Sequence, residues 1–504
     1  MPSNMPPHSQ TEDLTIYYND SIDSDNAAAA LTLLKEVAQR HPTGRIIWIM
    51  EPRQVAWGLS MSEEESAKCK KLLIMYFPDK YKTDHDASKA LLGSRLEEKN
   101  LLERQEELRK QGQEIPSENM NLMRKATKII NPHKEQQSKK HAELMAWDLA
   151  NCLTYWGSKE YSGSSPAPEF EVLVDYDSLE EIQNPVNLYL HYHEELANRT
   201  PDEIERYHAA VQEYGEPSNG YGGALRKDDT SNAVEKWYND CIAKEQKKYE
   251  AQNTSVGHLD IESLCKAIYA AKNVRFMGGS SLRILRQFIE KKVASKVNCY
   301  LQAGTQNFSA NLFPNQFNIG LNIEAASLVL REYKQFASFA IVPSATAQSL
   351  KYSLVGLQRV GHDCLGKKIL GYNAKVKAKD IALGDHTIEK DFPKETASMP
   401  DLTTFLCVLK GGELGVVRSC VEVAYSIEEK VNSTVDGSKN GSQNGEPKNG
   451  GPETIEPERD QNGRIKEGVS LHLKNSEQGI LIYQVPAGKE FTAEEVVELL
   501  DFSG

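Results

Sequence analysis

The densest concentration of potential chemistry in this chain is the segment NDSIDSDN at 19–26. Asp20, Asp23 and Asp25 are interleaved there with Asn19, Ser21 and Asn26, so oxygen donors crowd into one short stretch. Hard cations such as Ca²⁺ are held by such oxygen sets, and a carboxylate beside a bound ion can deprotonate a metal-bound water. The same residue types are also what a loop and a helix N-terminus favour by themselves. A second group lies in NLFPNQFNIGLNIEAASLVL at 311–330, where Asn311, Asn315, Gln316, Asn318 and Asn322 stand among aromatic and aliphatic residues. Amides beside aromatic faces suit a polyhydroxylated ligand, which needs paired hydrogen bonds and a stacking surface. Two glycine-rich turns, FMGGSS at 276–281 and SNGYGG at 218–223, permit close backbone approach to a ligand. The histidines are less promising. His191 and His193 are two apart, the wrong spacing for one helix face, and His362, Asp363 and Cys364 are chain neighbours, a poor arrangement for a Cys/His dyad.

The elements around these residues alternate. LTIYY at 14–18 is a strand that runs through the acidic loop into an alanine- and leucine-rich helix, and RIIWIM at 45–50 is a second, fully apolar strand. Further strands are expected at EFEVLVDYDS (169–178), KNVRFMGG (272–279), VNCYLQAG (297–304) and ASFAIVP (337–343), with helical patterns between them. Such alternation predicts an open, mostly parallel sheet flanked by helices, with ligands gathering at the carboxyl ends of its strands. VSLHLK and GILIYQV near the C-terminus are expected to pair with each other, ahead of a final helix capped by Thr492. Charged helical stretches at about 62–150 and 185–255 are expected to be long insertions in an α/β domain spanning 14–431 and 464–504. Residues 1–13 and the Gly/Asn/Ser-rich stretch 432–463 are expected to be disordered.

Bulk composition excludes several classes. The 504 residues carry 59 basic and 72 acidic side chains, a net charge of −13. That balance disfavours nucleic acid as the main partner. No run reaches the length of a membrane span, and MPSNMPPHSQTED has neither the basic nor the apolar region of a secretory signal. The eight cysteines form no CxxC pair, so neither a zinc framework nor a small disulfide scaffold is expected, and a cytoplasmic protein is.

In their order along the chain, these segments resemble the inosine–uridine-preferring nucleoside hydrolase family. NDSIDSDNAAAAL stands where the family has DxDPGxDDAxAL, MGGSSL at 277–282 resembles its TGGLTN turn, and PNQFNIGLNIEAASLVL resembles its EFNI…DPEAA block. VPSATAQ at 342–348 and PDLTTFLCVLKGGEL at 400–414 are similar to its VPxDVT and HDPLAxxxLLDPEL segments, and SNGYGG is similar to its DGLGG loop. The likeness covers roughly half of the chain, about 14–60, 265–425 and 468–502. It implies a nucleoside hydrolase-like α/β fold, a Ca²⁺ at the strand ends, and metal-assisted attack of water on the N-glycosidic bond of a nucleoside or related ribosyl compound. It also implies that Asp25, Asn26, the backbone of Met277 and Asp401 lie at the metal, that Asn311, Gln316 and Asn318 hold the sugar, and that a carboxylate among Asp20, Asp23 and Asp25 is the base. A homo-oligomer is compatible with this reading.

The departures fall on the chemistry. With Asp25–Asn26–Ala27 as anchor, the family's general base and metal ligand aligns with Ser21, its last signature Asp with Asn26, and its first with Asn19. The histidine before the final metal ligand is Pro400, and the Glu of EFN is Gln316. Calcium affinity tracks ligand charge. Two expectations follow: a divergent hydrolase in which Asp20, Asp23 or Asp25 restores the missing charge, or a catalytically dead relative acting as a ligand-binding or protein-interaction scaffold.

Overall fold

A computed structural model describes residues 13–19, 24–52, 63–83, 87, 98–125, 134–159, 168–181, 196–215, 233–248, 254–305, 312, 316–372, 378–427, 469–486 and 491–500. β1 (Asp13–Asn19) and β2 (Arg45–Met50) are buried almost throughout, as apolar runs in a parallel sheet covered on both faces must be. Between them α1 (Ser24–Arg40) presents Ala27–Ala30, whose small side chains allow close packing. β3 (Glu169–Val174), β4 (Val256–His258), β5 (Asn273–Gly278), β6 (Val297–Gln302) and β7 (Ser338–Val342) continue the sheet, and β8 (Tyr352–Ser353) and β9 (Thr396–Ala397) pair separately. With β10 (Val417–Ile427), β11 (Val469–Ser476) and β12 (Ile480–Gln484), the described strands form a ten-stranded sheet in the order β11-β10-β12-β7-β6-β5-β1-β2-β3-β4. All pairs are parallel except those of β10, which runs antiparallel to both neighbours. The expected open, mostly parallel α/β sheet is present.

One pairing differs from expectation. β11 and β12 do not pair with each other, because β10 lies between them and bonds to both. Local sequence marked two strands separated by a short turn, but the hydrogen-bonding partner is a third segment more than forty residues earlier in the chain.

Two cores cover the two faces. On one, Tyr17, Trp48 and Met50 meet α1, α5 (Lys134–Lys159), α12 (Leu354–Tyr372) and α13 (Pro400–Leu409). On the other, Leu14, Ile16, Tyr18, Ile47 and Ile49 meet α8 (Ile261–Ala270), α9 (Arg283–Glu290) and α11 (Ile323–Arg331). Alternate residues of each strand thus feed opposite layers. A third, separate core joins α2 (Glu63–Tyr76), α3 (Glu98–Lys110) and α4 (Ser117–Lys125) through Cys69, Leu73, Leu101 and Met123. α6 (Pro201–Gly215) and α7 (Ala233–Lys248) pack beside α5, which is itself part of the first core. The short α10 (Phe317–Leu321) precedes α11, and α14 (Ala493–Glu498) begins with a Thr492–Glu495 capping box, as the expected cap at Thr492 requires. Among the described residues, no helix is long and apolar enough to cross a membrane.

Candidate functional site at the carboxyl ends of the strands

The strand order turns at β1 and β5: β2, β3 and β4 extend on one side, β6 and β7 on the other. A crevice at such a switch point is where an open α/β sheet places its ligands. The ladder runs one residue beyond each strand here. Glu51 N–H donates to the Asn19 carbonyl at 2.7 Å, Asp175 N–H to Met50 at 2.8 Å, and Gly279 N–H to Tyr18 at 3.1 Å. Glu51, Asp175 and the glycine turn are thereby set side by side.

On the first face the structure brings together three of the expected positions. Asp25, in the first turn of α1, aims its carboxylate at the N-terminus of α13, accepting from the N–H groups of Asp401 at 2.9 Å and Leu402 at 3.1 Å. That N-terminus lacks a local cap, since Met399 cannot supply one, and its free N–H groups carry partial positive charge. The Asp401 carboxylate in turn lies against the MGG turn. A Cβ on Gly279 would fall 2.1 Å from Asp401 Oδ1, so only glycine fits. Asn26 accepts from the Tyr17 hydroxyl at 2.8 Å, and the Tyr17 ring stands edge-on to Phe405 of α13. Asn19 accepts from the Trp48 indole. Met277, fully buried, pairs with Tyr17 and Tyr300 in the sheet. Asp20, Ser21 and Asp23 lie outside the described residues, as do Asn311, Asn315 and the SNGYGG loop.

The two described sugar-binding candidates are engaged elsewhere. Gln316 caps α10, its side-chain oxygen accepting from Ile319 N–H at 2.7 Å. Asn318 donates to the Gln302 carbonyl at 2.7 Å and to the Gln302 side chain, tying α10 to the end of β6. Both amides are buried.

The described donors do not fit a calcium site. Asp25 spends both carboxylate oxygens on helix amides, Asn26 is neutral and its oxygen takes the Tyr17 proton, and only Asp401 adds a further carboxylate. Among the described residues, no group of three or more His, Cys, Asp or Glu side chains is placed to hold a metal ion.

The other face carries a charge cluster that motif reading missed. Glu51 and Asp175 end β2 and β3, and Tyr18 from β1 reaches both, with its hydroxyl 2.7 Å from Glu51 and 3.2 Å from Asp175. Glu51 also accepts from the hydroxyls of Ser280 and Ser281 and from Ser281 N–H at 3.2 Å. Arg283, in the first turn of α9, donates from Nη1 to both Asp175 oxygens, at 2.8 and 2.7 Å, and from Nε to Glu181 at 3.0 Å. Glu51, Asp175 and Tyr18 are at most 1% exposed. Burial, helped by the nearby Glu51 charge, outweighs the Arg283 guanidinium and pushes the Asp175 carboxyl up to about 7. Burial likewise drives the Tyr18 phenol well above its ordinary range. The signal for these residues was in the sequence: RIIWIM and EFEVLV are each followed directly by an acid, and the position after a parallel strand is where its carboxyl end opens. Thiol chemistry has no support, since burial pushes Cys69, Cys241 and Cys407 up to about 12, away from the nucleophilic thiolate.

No protein-family model matches this chain. No curated protein sequence matches it either. Among solved structures, the chain is similar to an inosine-guanosine nucleoside hydrolase, with 9% identity, a TM-score of 0.35, and 83% of this chain and 84% of that one covered. It is also similar to the plant nucleoside hydrolase PpNRh1, at 10% identity and a TM-score of 0.37 over 96% and 97% of the two chains. A third likeness is to the type III effector protein XopQ, solved with adenosine diphosphate ribose, at 8% identity and a TM-score of 0.38 over 97% and 93%.

Proposed function

We propose that this is a nucleoside hydrolase-like protein that does not hydrolyse N-glycosidic bonds and serves as a scaffold on the same α/β frame. One observation carries the reading: Asp25, the one signature carboxylate retained in the aligned register, is bound to the helix N-terminus at Asp401 and Leu402 through both of its oxygens. A carboxylate held by two N–H donors is a weaker base and a weaker ligand than a free one. Ser21 and Asn26 at the aligned ligand positions remove two further charges. Water activation by a positioned base is worth about 10²- to 10⁴-fold, so its loss alone is enough to silence turnover.

A second reading has its own support. Asp401 lies against Gly279, beside the turn from which the family's backbone ligand comes, so Asp20 or Asp23 approaching this point would complete a hydrolase centre. Calorimetric titration of chelator-treated protein with Ca²⁺, followed by assay of ribose release from a panel of nucleosides, separates the two. The scaffold reading expects neither binding heat nor ribose from a cooperatively folded sample. Micromolar binding with calcium-dependent ribose release, both lost in Asp401→Ala, would establish the hydrolase instead.

A further inference from the structure

The cluster on the second face has an uneven charge. Its carboxylates are Glu51, Asp175 and Glu181, and its cations are Arg283 and Arg286, the latter donating to Glu181 at 2.7 Å. Three negative groups face two positive ones around side chains almost sealed from water. A surplus buried charge is costly unless it is neutralised. The hydrogen-bond inventory points the same way. Tyr18 has one hydroxyl proton and two carboxylates within reach, Glu51 at 2.7 Å and Asp175 at 3.2 Å. Donated to Glu51, that proton leaves two oxygens, those of Tyr18 and Asp175, facing each other with nothing between them.

We propose that Glu51, Tyr18 and Asp175 form one proton-binding unit at the ends of β1, β2 and β3, which holds an extra proton when the chain is folded and makes this edge of the sheet pH-sensitive. The proton comes from solvent and sits on Asp175 Oδ2, donated to the Tyr18 oxygen, while Tyr18 donates its own to Glu51. Both contacts are then satisfied and the cluster is neutral. Arg283 loses no counter-charge, because its Nε still donates to Glu181 at 3.0 Å. The raised Asp175 carboxyl agrees with this arrangement.

Among the described residues, the charged and titratable groups facing Asp175 are Tyr18 of β1, Glu51 after β2, Arg283 of α9, and Glu181 in the turn after β3, itself bonded to Arg286 and to the Asn322 amide. The Tyr176 ring next to it contacts His258 of β4 at 5.1 Å between centroids.

The folded-state carboxyl, at about 7, lies above its value of 3.8 in the free residue. Between those values the folded chain holds the proton and the unfolded chain does not. The contribution is therefore complete below about pH 4 and is lost as pH rises toward 7.

Two measurements test this on the full chain. Infrared titration of the wild type should show a protonated-carboxyl C=O band that disappears with a midpoint near 7 and is absent in Asp175→Asn. The melting temperature of Asp175→Asn, whose amide stays neutral, should rise relative to that of the wild type as pH increases from about 4 to 7. A wild type with no carboxyl band titrating above the ordinary range would overturn the proposal, and so would a melting difference that is flat or moves the other way. The wild-type spectrum needs no variant, so a failure of Asp175→Asn to fold leaves the test intact. Neither measurement depends on whether the chain hydrolyses a nucleoside.

Discussion

At the scale of single residues, the retained signature carboxylate acts as a structural group. Asp25 supplies from another element the acceptor that Met399 cannot provide at the start of α13. Removing a helix-terminal acceptor costs about 0.5–2 kcal/mol, and two N–H groups depend on this one. Asp25→Ala is expected to lower the unfolding free energy by about 2 kcal/mol in chemical denaturation, with Asp25→Asn recovering part of the loss because it keeps one acceptor oxygen. A change near zero would mean that α13 is held by packing alone. The amides of Gln316 and Asn318 were picked out for ligand binding because their residue types suit a sugar, yet each closes a local hydrogen bond instead. Type and spacing flagged them. Their partners, Ile319 N–H and Gln302, decide their role, and only coordinates reveal a partner.

At the scale of elements, the helices beside the sheet are joined by buried charge as well as by apolar contact. Arg199, ahead of α6, is 3% exposed and bridges Asp148 of α5 and Glu245 of α7, the latter at 2.9 Å. Asn151 donates to the other Glu245 oxygen at 2.7 Å. Taking one partner from a buried charge set leaves the others uncompensated, a loss of about 3–5 kcal/mol. Arg199→Met should therefore destabilise the chain by roughly that amount, read as a lower denaturant midpoint, whereas the exposed pair Arg206–Asp240 should be nearly silent when broken. If both variants behave alike, the triad is not a fastening. The charge runs at 62–150 and 185–255 read as solvated helical insertions by composition. Part of that charge is in fact interior, and helical periodicity cannot reveal it, because an acid paired with an arginine from a distant helix looks the same in sequence as an exposed acid.

At the scale of the whole molecule, α2, α3 and α4 share a core of their own, apart from the two that cover the sheet. A small separate cluster opens more readily than a ten-stranded sheet with cores on both faces. Native-state hydrogen exchange should find the amides of these three helices exchanging together, at a lower opening free energy than those of β1, β2 and β5. Exchange at one common free energy would show the two parts to be a single cooperative unit.

The sequence by itself determined the class of fold. Continuous apolar runs such as RIIWIM and LTIYY can be satisfied only in a sheet covered on both faces, and their alternation with helices makes most of the sheet parallel. It also located the crevice, since the acidic loop, the glycine turn and Asp401 all belong to strand ends that the topology places at the switch point. What the tertiary structure alone decided is how the polar groups there are spent. The pairing of β10 between β11 and β12, the binding of Asp25 by a helix that starts nearly four hundred residues later, and the meeting of Glu51, Tyr18, Asp175 and Arg283 are contacts between segments distant in the chain. Periodicity records which face a residue takes; it holds no record of which distant donor or charge will meet it there.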